Sequence, residues 1–193
     1  MSLPQGKGIR YSYSDYLAWP DDERWELIDG LAFNMTAAPT PRHQRVAALF
    51  YSRLELALEG EPCIPFIAPT DVVLSEYDVV QPDVFVICDE KKITRTNIQG
   101  VPDLVVEVAS PSTAMKDRRD KKILYERHGV QQYVIIDPEG EYIECFTLQP
   151  DGMYGRGEIL GPEDTLALAC GGKRPINLWE VFEKKPPESI YAE

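Results

Sequence analysis

Two acidic residues stand inside segments that are otherwise apolar. Glu107 lies in the run Leu-Val-Val-Glu-Val-Ala over 104–109, and Asp83 follows Pro82 and precedes the apolar segment 84–87. A continuous apolar run of this length is typical of a strand buried on both faces. An ionised carboxylate there costs several kcal/mol unless it is paired or bound to a metal ion. The two carboxylates are therefore the first candidates for a functional site.

The two carboxylates meet if their strands are neighbours in one sheet. Strands over 79–88 and 103–109 would place Asp83 and Glu107 side by side on one face, where they repel unless a proton or a cation separates them. Mg²⁺ or Mn²⁺ suits such a pair, since a hard divalent ion takes one or two carboxylates and keeps several waters. The carbonyl of Val108 would add a further oxygen. Taken singly, an Asp after Pro is often a turn or cap residue, and a Glu within a strand is often ion-paired.

A lysine on the helix after the Glu107 strand completes the candidate site. At about 100° per residue, Lys121 falls at the centre of the face that carries Leu124 and Tyr125, which must contact the sheet, whereas Lys122 points away. Lys121 would reach back to the strand end, where it positions a water or offsets the charge of a phosphate. The alternative is a lysine whose stem covers apolar surface and whose ammonium is solvated.

The elements that must position these residues have clear start and stop signals. Asp29-Gly30 between two short apolar segments predicts a β-hairpin. Thr40 as N-cap and Pro41 as first helical residue predict a long helix that ends near Gly60. Its predicted buried face consists of Val46, Leu49, Phe50, Leu54, Ala57 and Leu58.

The order of the remaining elements predicts the fold class. They are a short helix over 12–19, strands over 71–75, 79–88, 103–109, 130–137 and 142–148, one further strand, a helix from Ser112 or Thr113 to His128, and a terminal helix over 176–183. The strand-helix-strand segment 103–137 predicts a crossover between two parallel strands. The expected fold is therefore α/β, a mixed sheet flanked by helices.

Composition restricts the function classes. The chain has 193 residues and a formal net charge of −12, which argues against broad electrostatic binding of nucleic acid. Residues 116–122 form the one dense basic stripe. No apolar run approaches the about twenty residues of a membrane span, and the N-terminus lacks the apolar segment of a secretion signal. The length fits one domain, expected over 12–185, between flexible tails over 1–11 and 186–193.

The cysteines do not form a recognisable metal motif. Cys63, Cys88, Cys145 and Cys170 show no Cys-x-x-Cys spacing, and the two histidines are too few for a multi-histidine zinc site. The first three stand among apolar neighbours. We expect buried free thiols and a cytoplasmic, reducing location.

Several motifs follow one another in an order that resembles a known family. They are Trp25-Glu26-Leu27-Ile28-Asp29-Gly30, His43-Gln44, Val80-Gln81-Pro82-Asp83, Pro102 to Val108, Ser110-Pro111-Ser112-Thr113, Asp117 to Tyr125, Gly129-Val130 and Tyr133 to Pro138. Over roughly residues 12 to 183 the chain resembles the Uma2-type family of restriction-endonuclease-like proteins, within the PD-(D/E)XK nuclease superfamily. The resemblance implies a restriction-endonuclease-like fold and Mg²⁺-dependent hydrolysis of DNA, with Mn²⁺ as a substitute ion.

The resemblance also implies a role for the principal candidates. Asp83 and Glu107 correspond to the two acids of the motif and would bind the metal ion. The superfamily's lysine normally follows the second acid by two residues, but that position here is Ala109. A lysine moved onto the following helix, Lys121, takes its place in the resemblance.

Glu26, His43 and Tyr125 are further candidate site residues. Glu26 resembles an upstream acid that serves as a metal or water partner in many members; the alternative is an ion pair with Arg24 or Arg45. His43 lies near the start of its helix, where the alternative is a cap or core histidine. Tyr125 shares the inward helical face with the candidate lysine.

Three functions remain open. The favoured one is a Mg²⁺-dependent endonuclease, in which the two acids hold the ion and Lys121 orients water and neutralises the scissile phosphate. DNA would approach the basic stripe and the helix N-terminus after Thr113. The second is a nuclease-like binding or assembly module without cleavage, favoured by the acidic net charge and by Ala109. The third is a metal-dependent hydrolase of another phosphoester.

Aromatic residues near the N-terminus bear on assembly. Three alternatives are open for these side chains: stacking on bases, packing on the body of the protein or packing on a second subunit. The residues are Tyr11, Tyr13, Tyr16 and Trp19. We expect a homodimer, which also suits cleavage of both DNA strands.

Overall fold

The computed structural model describes residues 9–20, 23–35, 38–110 and 114–188. The predicted helix caps, Ser112 and Thr113, and parts of both predicted tails lie outside these residues. Within the predicted N-terminal tail, the amide of Tyr11 donates to the carbonyl of Gly30 at 2.8 Å. The hairpin turn therefore binds the last residue of that segment.

The described residues form thirteen strands and five α-helices, joined by turns and loops. The strands are β1 (Trp25–Ile28), β2 (Leu31–Asn34), β3 (Ile64–Ile67), β4 (Val72–Ser75), β5 (Asp78–Val80), β6 (Val84–Ile87), β7 (Ile98–Gln99), β8 (Leu104–Val108), β9 (Gln132–Asp137), β10 (Tyr142–Thr147), β11 (Glu158–Leu160), β12 (Thr165–Leu166) and β13 (Ile176–Asn177). The helices are α1 (Tyr13–Tyr16), α2 (Pro41–Ala57), α3 (Ala114–Lys116), α4 (Lys122–His128) and α5 (Leu178–Val181). A π-helical turn, Asp117–Lys121, joins α3 to α4, and a 3₁₀ turn covers Glu90–Lys92.

A six-stranded mixed sheet, in the order β11-β10-β9-β8-β6-β3, forms the centre of the fold. The β8–β9 pair is parallel, as the crossover predicted, and the other pairs of this sheet are antiparallel. All five residues of β8 are buried, Glu107 included. The α/β class and the mixed sheet flanked by helices are thus confirmed.

Helices cover both faces of the central sheet. Phe50 and Leu54 of α2 pack on one face, and Leu124 and Tyr125 of α4 pack on the other. The hydroxyl of Thr40 accepts the third amide of α2, as an N-cap does. No helix of the described ranges is both long and apolar enough to cross a membrane.

A second, five-stranded sheet has the order β2-β1-β5-β4-β7. The hairpin turn between β1 and β2 has positive φ at Asp29 (54°) and Gly30 (74°), as the tightest hairpin turns require. The N-terminal aromatic residues pack on the body of the protein here, against Leu27, Val73 and Val79. That is one of the alternatives open for them from the sequence.

Asp78 of β5 ties the second sheet to the helix on the central sheet. Its carboxylate accepts from Arg127 at 2.7 Å and lies 3.0 Å from Nε2 of His128, both at the end of α4. The same carboxylate accepts the amide of Asp29 at 2.8 Å. One buried acid thus joins the hairpin, β5 and α4.

The predicted strand over 79–88 is wrong, because the chain forms two strands there in two different sheets. β5 ends at Val80 and β6 begins at Val84, with Gln81-Pro82-Asp83 between them. Proline offers no amide to a strand ladder, so the chain leaves one sheet and enters the other at this point. β3 was not predicted; it contains Pro65 and lies at the edge of the central sheet, where a missing amide is tolerated.

The expectation of free thiols is wrong for two cysteines. Cys63 precedes β3 and Cys88 follows β6, and the two form a disulfide bond. The register pairs Ile64 with Ile87, so the two cysteines face each other at the end of the antiparallel pair. Cys145 is free and buried, as expected, and Cys170 is free and half-buried.

The helix that follows β8 is not a regular α-helix. In the π turn, the amide of Lys122 donates to the carbonyl of Asp117, five residues earlier. The buried hydroxyl of Tyr133 donates to the same carbonyl at 3.1 Å. The helix then ends as predicted at Gly129, whose φ is 80°.

Candidate active site

The candidate residues converge where the two large sheets meet. Glu26 comes from β1 of the second sheet, Asp83 immediately precedes β6, and Glu107 lies in β8 of the central sheet. Lys121 ends the π turn and Tyr125 follows in α4. The break between β5 and β6 is therefore what brings both sheets to one site.

Lys121 bridges two buried carboxylates. Its Nζ lies 2.8 Å from Oε1 of Glu107 and 2.8 Å from Oε1 of Glu26. The hydroxyl of Tyr125 donates to the same Glu107 oxygen at 2.7 Å. All four residues are buried, so the alternative of a solvated Lys121 is wrong.

Asp83 and Glu107 are neighbours on adjacent antiparallel strands. The register pairs Val84 with Val106, and continuing it by one residue sets Asp83 opposite Glu107. Oδ2 of Asp83 accepts the amide of Val108 at 2.8 Å. The side chain of Asp83 is 23% exposed against 5% for Glu107, so the site opens to solvent at Asp83.

His43 joins the site from the first turn of α2. Its Nε2 lies 3.2 Å from Oδ2 of Asp83, whereas its buried Nδ1 has no hydrogen-bond partner. Burial lowers the pKa of the imidazole, but the hydrogen bond and the charge of Asp83 outweigh it and raise that pKa. His43 therefore contacts a candidate ligand directly, beyond any role in the core.

Lys116 is a site residue that sequence reasoning missed. Its Nζ lies 2.6 Å from Oε2 of Glu26 and 4.3 Å above the ring of Phe33. In a regular helix, residues five apart, such as Lys116 and Lys121, point about 140° apart. The π turn brings both to Glu26, and no signal in the sequence indicated that turn.

The alternative ion pairs predicted for Glu26 are wrong. Arg24 donates to Gln81 at 2.7 and 2.9 Å, and Arg45 donates to Glu183 at 2.7 and 2.9 Å. Glu26 instead accepts the amide of Gln81 at 3.2 Å in addition to its two lysines. Its orientation is thus determined from three sides.

The environment separates the pKa values of the two buried glutamates. Burial raises the pKa of Glu107 to about 8, and the charges of Asp117, Asp83 and Glu26 add to the effect against the opposing charge of Lys121. Burial also acts to raise the pKa of Glu26, but the ammonium groups it contacts outweigh burial and lower it. The pKa of Lys121 lies well above its usual value, because the two glutamates outweigh its burial.

The donor set fits a hard divalent cation. The site holds more carboxylates than ammonium groups: Glu26, Asp83, Glu107 and Asp117 against Lys116 and Lys121. The carboxylate oxygens of Asp83 and Glu107 are ligands of the kind that Mg²⁺ takes. Burial raises the pKa of Glu107, and the neighbouring carboxylates add to that effect. Among the described residues, these side chains do not form a group of three ligand atoms within 4.8 Å.

The basic stripe is not the free cationic surface that the sequence suggested. Arg118 donates to Glu144 at 2.6 Å, and Lys122 lies 4.2 Å above the ring of Phe146. The two site lysines of the stripe are bound to carboxylates, while Arg119 is exposed. The predicted approach of DNA along this stripe is therefore not supported, and the helix N-terminus after Thr113 lies outside the described residues.

Comparisons with known proteins identify the family and agree with the fold. A family model, Uma2, described as "Putative restriction endonuclease", matches residues 13–171. The chain is 28% identical over 155 residues to "Uncharacterized protein slr1290" of Synechocystis sp., a match that covers 77% of this chain and 80% of that protein. A crystal structure of "a putative nuclease belonging to DUF820" from Anabaena variabilis superposes with a TM-score of 0.72 at 17% identity. That superposition covers 89% of this chain and 97% of the other.

Proposed function

This chain belongs to the Uma2 family of restriction-endonuclease-like proteins, and we propose that it is a divalent-metal-dependent endonuclease that hydrolyses phosphodiester bonds in DNA. The observation that carries the proposal is the placement of Glu107. A buried acid in the central sheet lies opposite Asp83 and 2.8 Å from a buried lysine. An acid pair can hold a divalent ion and an adjacent ammonium can offset phosphate charge, which together suit metal-assisted phosphoryl chemistry.

Asp83 and Glu107 are the proposed ligands of Mg²⁺, with Mn²⁺ as a substitute and the carbonyl of Val108 as a further donor. When bound, the ion supplies Lewis-acid stabilisation of the charge that develops on the phosphate. Tyr125 fixes the orientation of Glu107, and His43 fixes that of Asp83. These two residues position the ligands and are not proposed as ligands themselves.

Lys121 is the proposed phosphate- and water-facing cation. Two carboxylates bind its ammonium, so Glu26 would still hold it if Glu107 bound a metal ion. Its pKa, raised well above the usual value, keeps it cationic at neutral pH. A permanently charged group suits donation to a nucleophilic water and a phosphate oxygen, but not proton abstraction.

The proposal also concerns access and assembly. DNA would enter from the Asp83 side, where the candidate site is partly exposed. Because the net charge is −12, binding should depend on the metal ion and on few cationic contacts. Action as a cytoplasmic homodimer remains part of the proposal.

The test is cleavage of supercoiled plasmid with Mg²⁺, Mn²⁺ or EDTA. We expect metal-dependent nicking by the wild type, and its loss in Glu107→Gln and Asp83→Asn. Glu158→Gln, which removes an exposed carboxylate on β11, serves as the matched control and should cleave normally. Mn²⁺ binding, followed by electron paramagnetic resonance, provides a readout that does not depend on turnover.

Each result separates the open functions. Nicking that survives in Glu107→Gln would refute the proposed site. Absence of nicking with Mn²⁺ bound by the wild type only would support the metal site and count against this plasmid as the substrate. Activity on a small phosphodiester would then favour another phosphoester hydrolase. Absence of both nicking and Mn²⁺ binding would favour a binding module without catalysis.

A further inference from the structure

Three cysteines meet far from the candidate active site. Cys63 and Cys88 close the end of the β3–β6 pair, and Cys170 comes from the loop between β12 and β13. Their sulfur atoms all lie within 4.8 Å of one another. In the part of the chain that the structure describes, no other group of three or more Cys, His, Asp or Glu side chains has its ligand atoms this close together.

The loop that carries Cys170 is held from both sides by one buried glutamine. Gln132 of β9 donates to the carbonyl of Ala167 at 2.9 Å and accepts the amide of Ala169 at 3.0 Å. The third sulfur is therefore placed by the central sheet rather than by a loose segment. Such preorganisation is what distinguishes a site from a chance encounter of thiols.

The spacing of the sulfurs suits a tetrahedral metal ion. With metal–sulfur bonds of about 2.3 Å, the sulfurs of a tetrahedral site stand about 3.8 Å apart. Reduction of the disulfide lets the sulfurs of Cys63 and Cys88 separate toward that distance. Cys88 and Cys170 are half-buried, so an ion has access and a water can fill the fourth position.

We propose that the reduced protein binds one zinc-group divalent cation through the thiolates of Cys63, Cys88 and Cys170, and that the disulfide is the metal-free state of this site. Soft thiolate ligands select such ions over Mg²⁺ or Ca²⁺. The site is thus distinct in chemistry as well as in position from the acid pair of the active site.

The electrons and protons of the two steps balance. A dithiol reductant delivers two electrons and two protons to the disulfide, becomes a disulfide itself and leaves Cys63 and Cys88 as thiols. Binding of the cation then displaces the protons of three thiols. Because the ligands must lose their protons to bind the cation, affinity should increase with pH.

The test is titration of reduced protein with Cd²⁺ under anaerobic conditions, after removal of the reductant. The wild type should show a sulfur-to-metal charge-transfer band that saturates at one equivalent, with release of three protons per ion. The oxidised protein should show no such band. Cys170→Ser should lose it, and Cys145→Ser, which removes a buried free thiol in β10, should retain it.

A second measurement does not depend on the stability of any variant. Bound Cd²⁺ should slow the alkylation of Cys63, Cys88 and Cys170 in the reduced wild type, as mapped by mass spectrometry, and leave the rate at buried Cys145 unchanged. Absence of the band at one equivalent would overturn the proposal. Equal protection of all four cysteines would do so as well.

Discussion

Replacement of Glu107 by Gln should make the protein more stable at neutral pH while removing the proposed activity. The folded pKa of this carboxyl is raised from 4.5 to about 8. Its contribution to stability is therefore complete below pH 4.5 and is lost as the pH rises toward 8. In that window the folded protein keeps a proton that the unfolded chain has released.

The magnitude follows from the width of the window. Each pH unit in which the two states differ by one proton changes the free energy of unfolding by about 1.4 kcal/mol. Between pH 5 and pH 7 the wild type should lose about 3 kcal/mol that the neutral amide of Glu107→Gln does not lose. For a chain of this size, that corresponds to roughly 10 °C in Tm. The amide oxygen still accepts from Lys121 and Tyr125.

The assay is urea unfolding of both proteins at pH 5, 6 and 7 with EDTA present. The informative quantity is how the difference in the free energy of unfolding between the two proteins changes with pH. Any pH-independent cost of the new amide cancels from that change. Glu158→Gln should parallel the wild type at every pH. Parallel curves for Glu107→Gln as well would refute the reasoning, since they would mean that Glu107 is ionised in the folded protein and simply paired with Lys121.

Three further substitutions test other parts of the arrangement. Lys121→Met leaves the buried carboxylate of Glu26 with one of its two ammonium partners and should lower the free energy of unfolding by about 3 kcal/mol near pH 7, the lower end for a broken buried ion pair. Lys122→Met should change it by about 0.5 kcal/mol or less, and equal effects in urea unfolding would contradict the assigned roles. Asp83→Asn keeps an acceptor for the amide of Val108, so thermal unfolding should change little while Mn²⁺ affinity falls; unchanged affinity would exclude this ligand. Hydrogen bonds and opposite charge outweigh burial and lower the pKa of Asp78 from 3.8 to about 2, so its contribution is present above pH 3.8 and is lost as the pH falls through 2. Asp78→Asn should therefore be about 2 kcal/mol less stable at pH 7, with a difference that disappears near pH 2; a difference that persists there would point to packing.

Local signals in the sequence accounted for the elements that have local causes. Asp29-Gly30 indicated the hairpin because few residues adopt positive φ, and Thr40-Pro41 indicated the start of α2 because its first amides need an acceptor. The inward position of Lys121 followed from its spacing to Tyr125 within one continuous helix. The acids were identified because an ionised carboxylate inside an apolar strand costs free energy unless it is paired or bound to a metal ion.

The features that were missed depend on partners distant in sequence. Apolar residues on both sides of Pro82 suggested one strand. The chain in fact forms two strands there, because β5 and β6 belong to different sheets. The contact between Cys63 and Cys88 depends on the pairing of β3 with β6. β3 was not predicted because it contains Pro65. Lys116 reached Glu26 through a π turn, and periodicity assumes that no such turn exists.

That π turn has a consequence for how the protein tolerates insertions and deletions. A helix with one π turn contains one residue more than a regular helix of the same number of turns. Removal of a single residue between 117 and 121 would restore regular winding and leave Lys116 and Lys121 four residues apart, about 40° around the helix. Both lysines would then still lie on the face toward Glu26, although the helix had lost its π turn. Regular winding without that deletion would instead set the two lysines about 140° apart. The π turn therefore absorbs one extra residue, and relatives that are one residue shorter there should reach the same carboxylate with a regular helix.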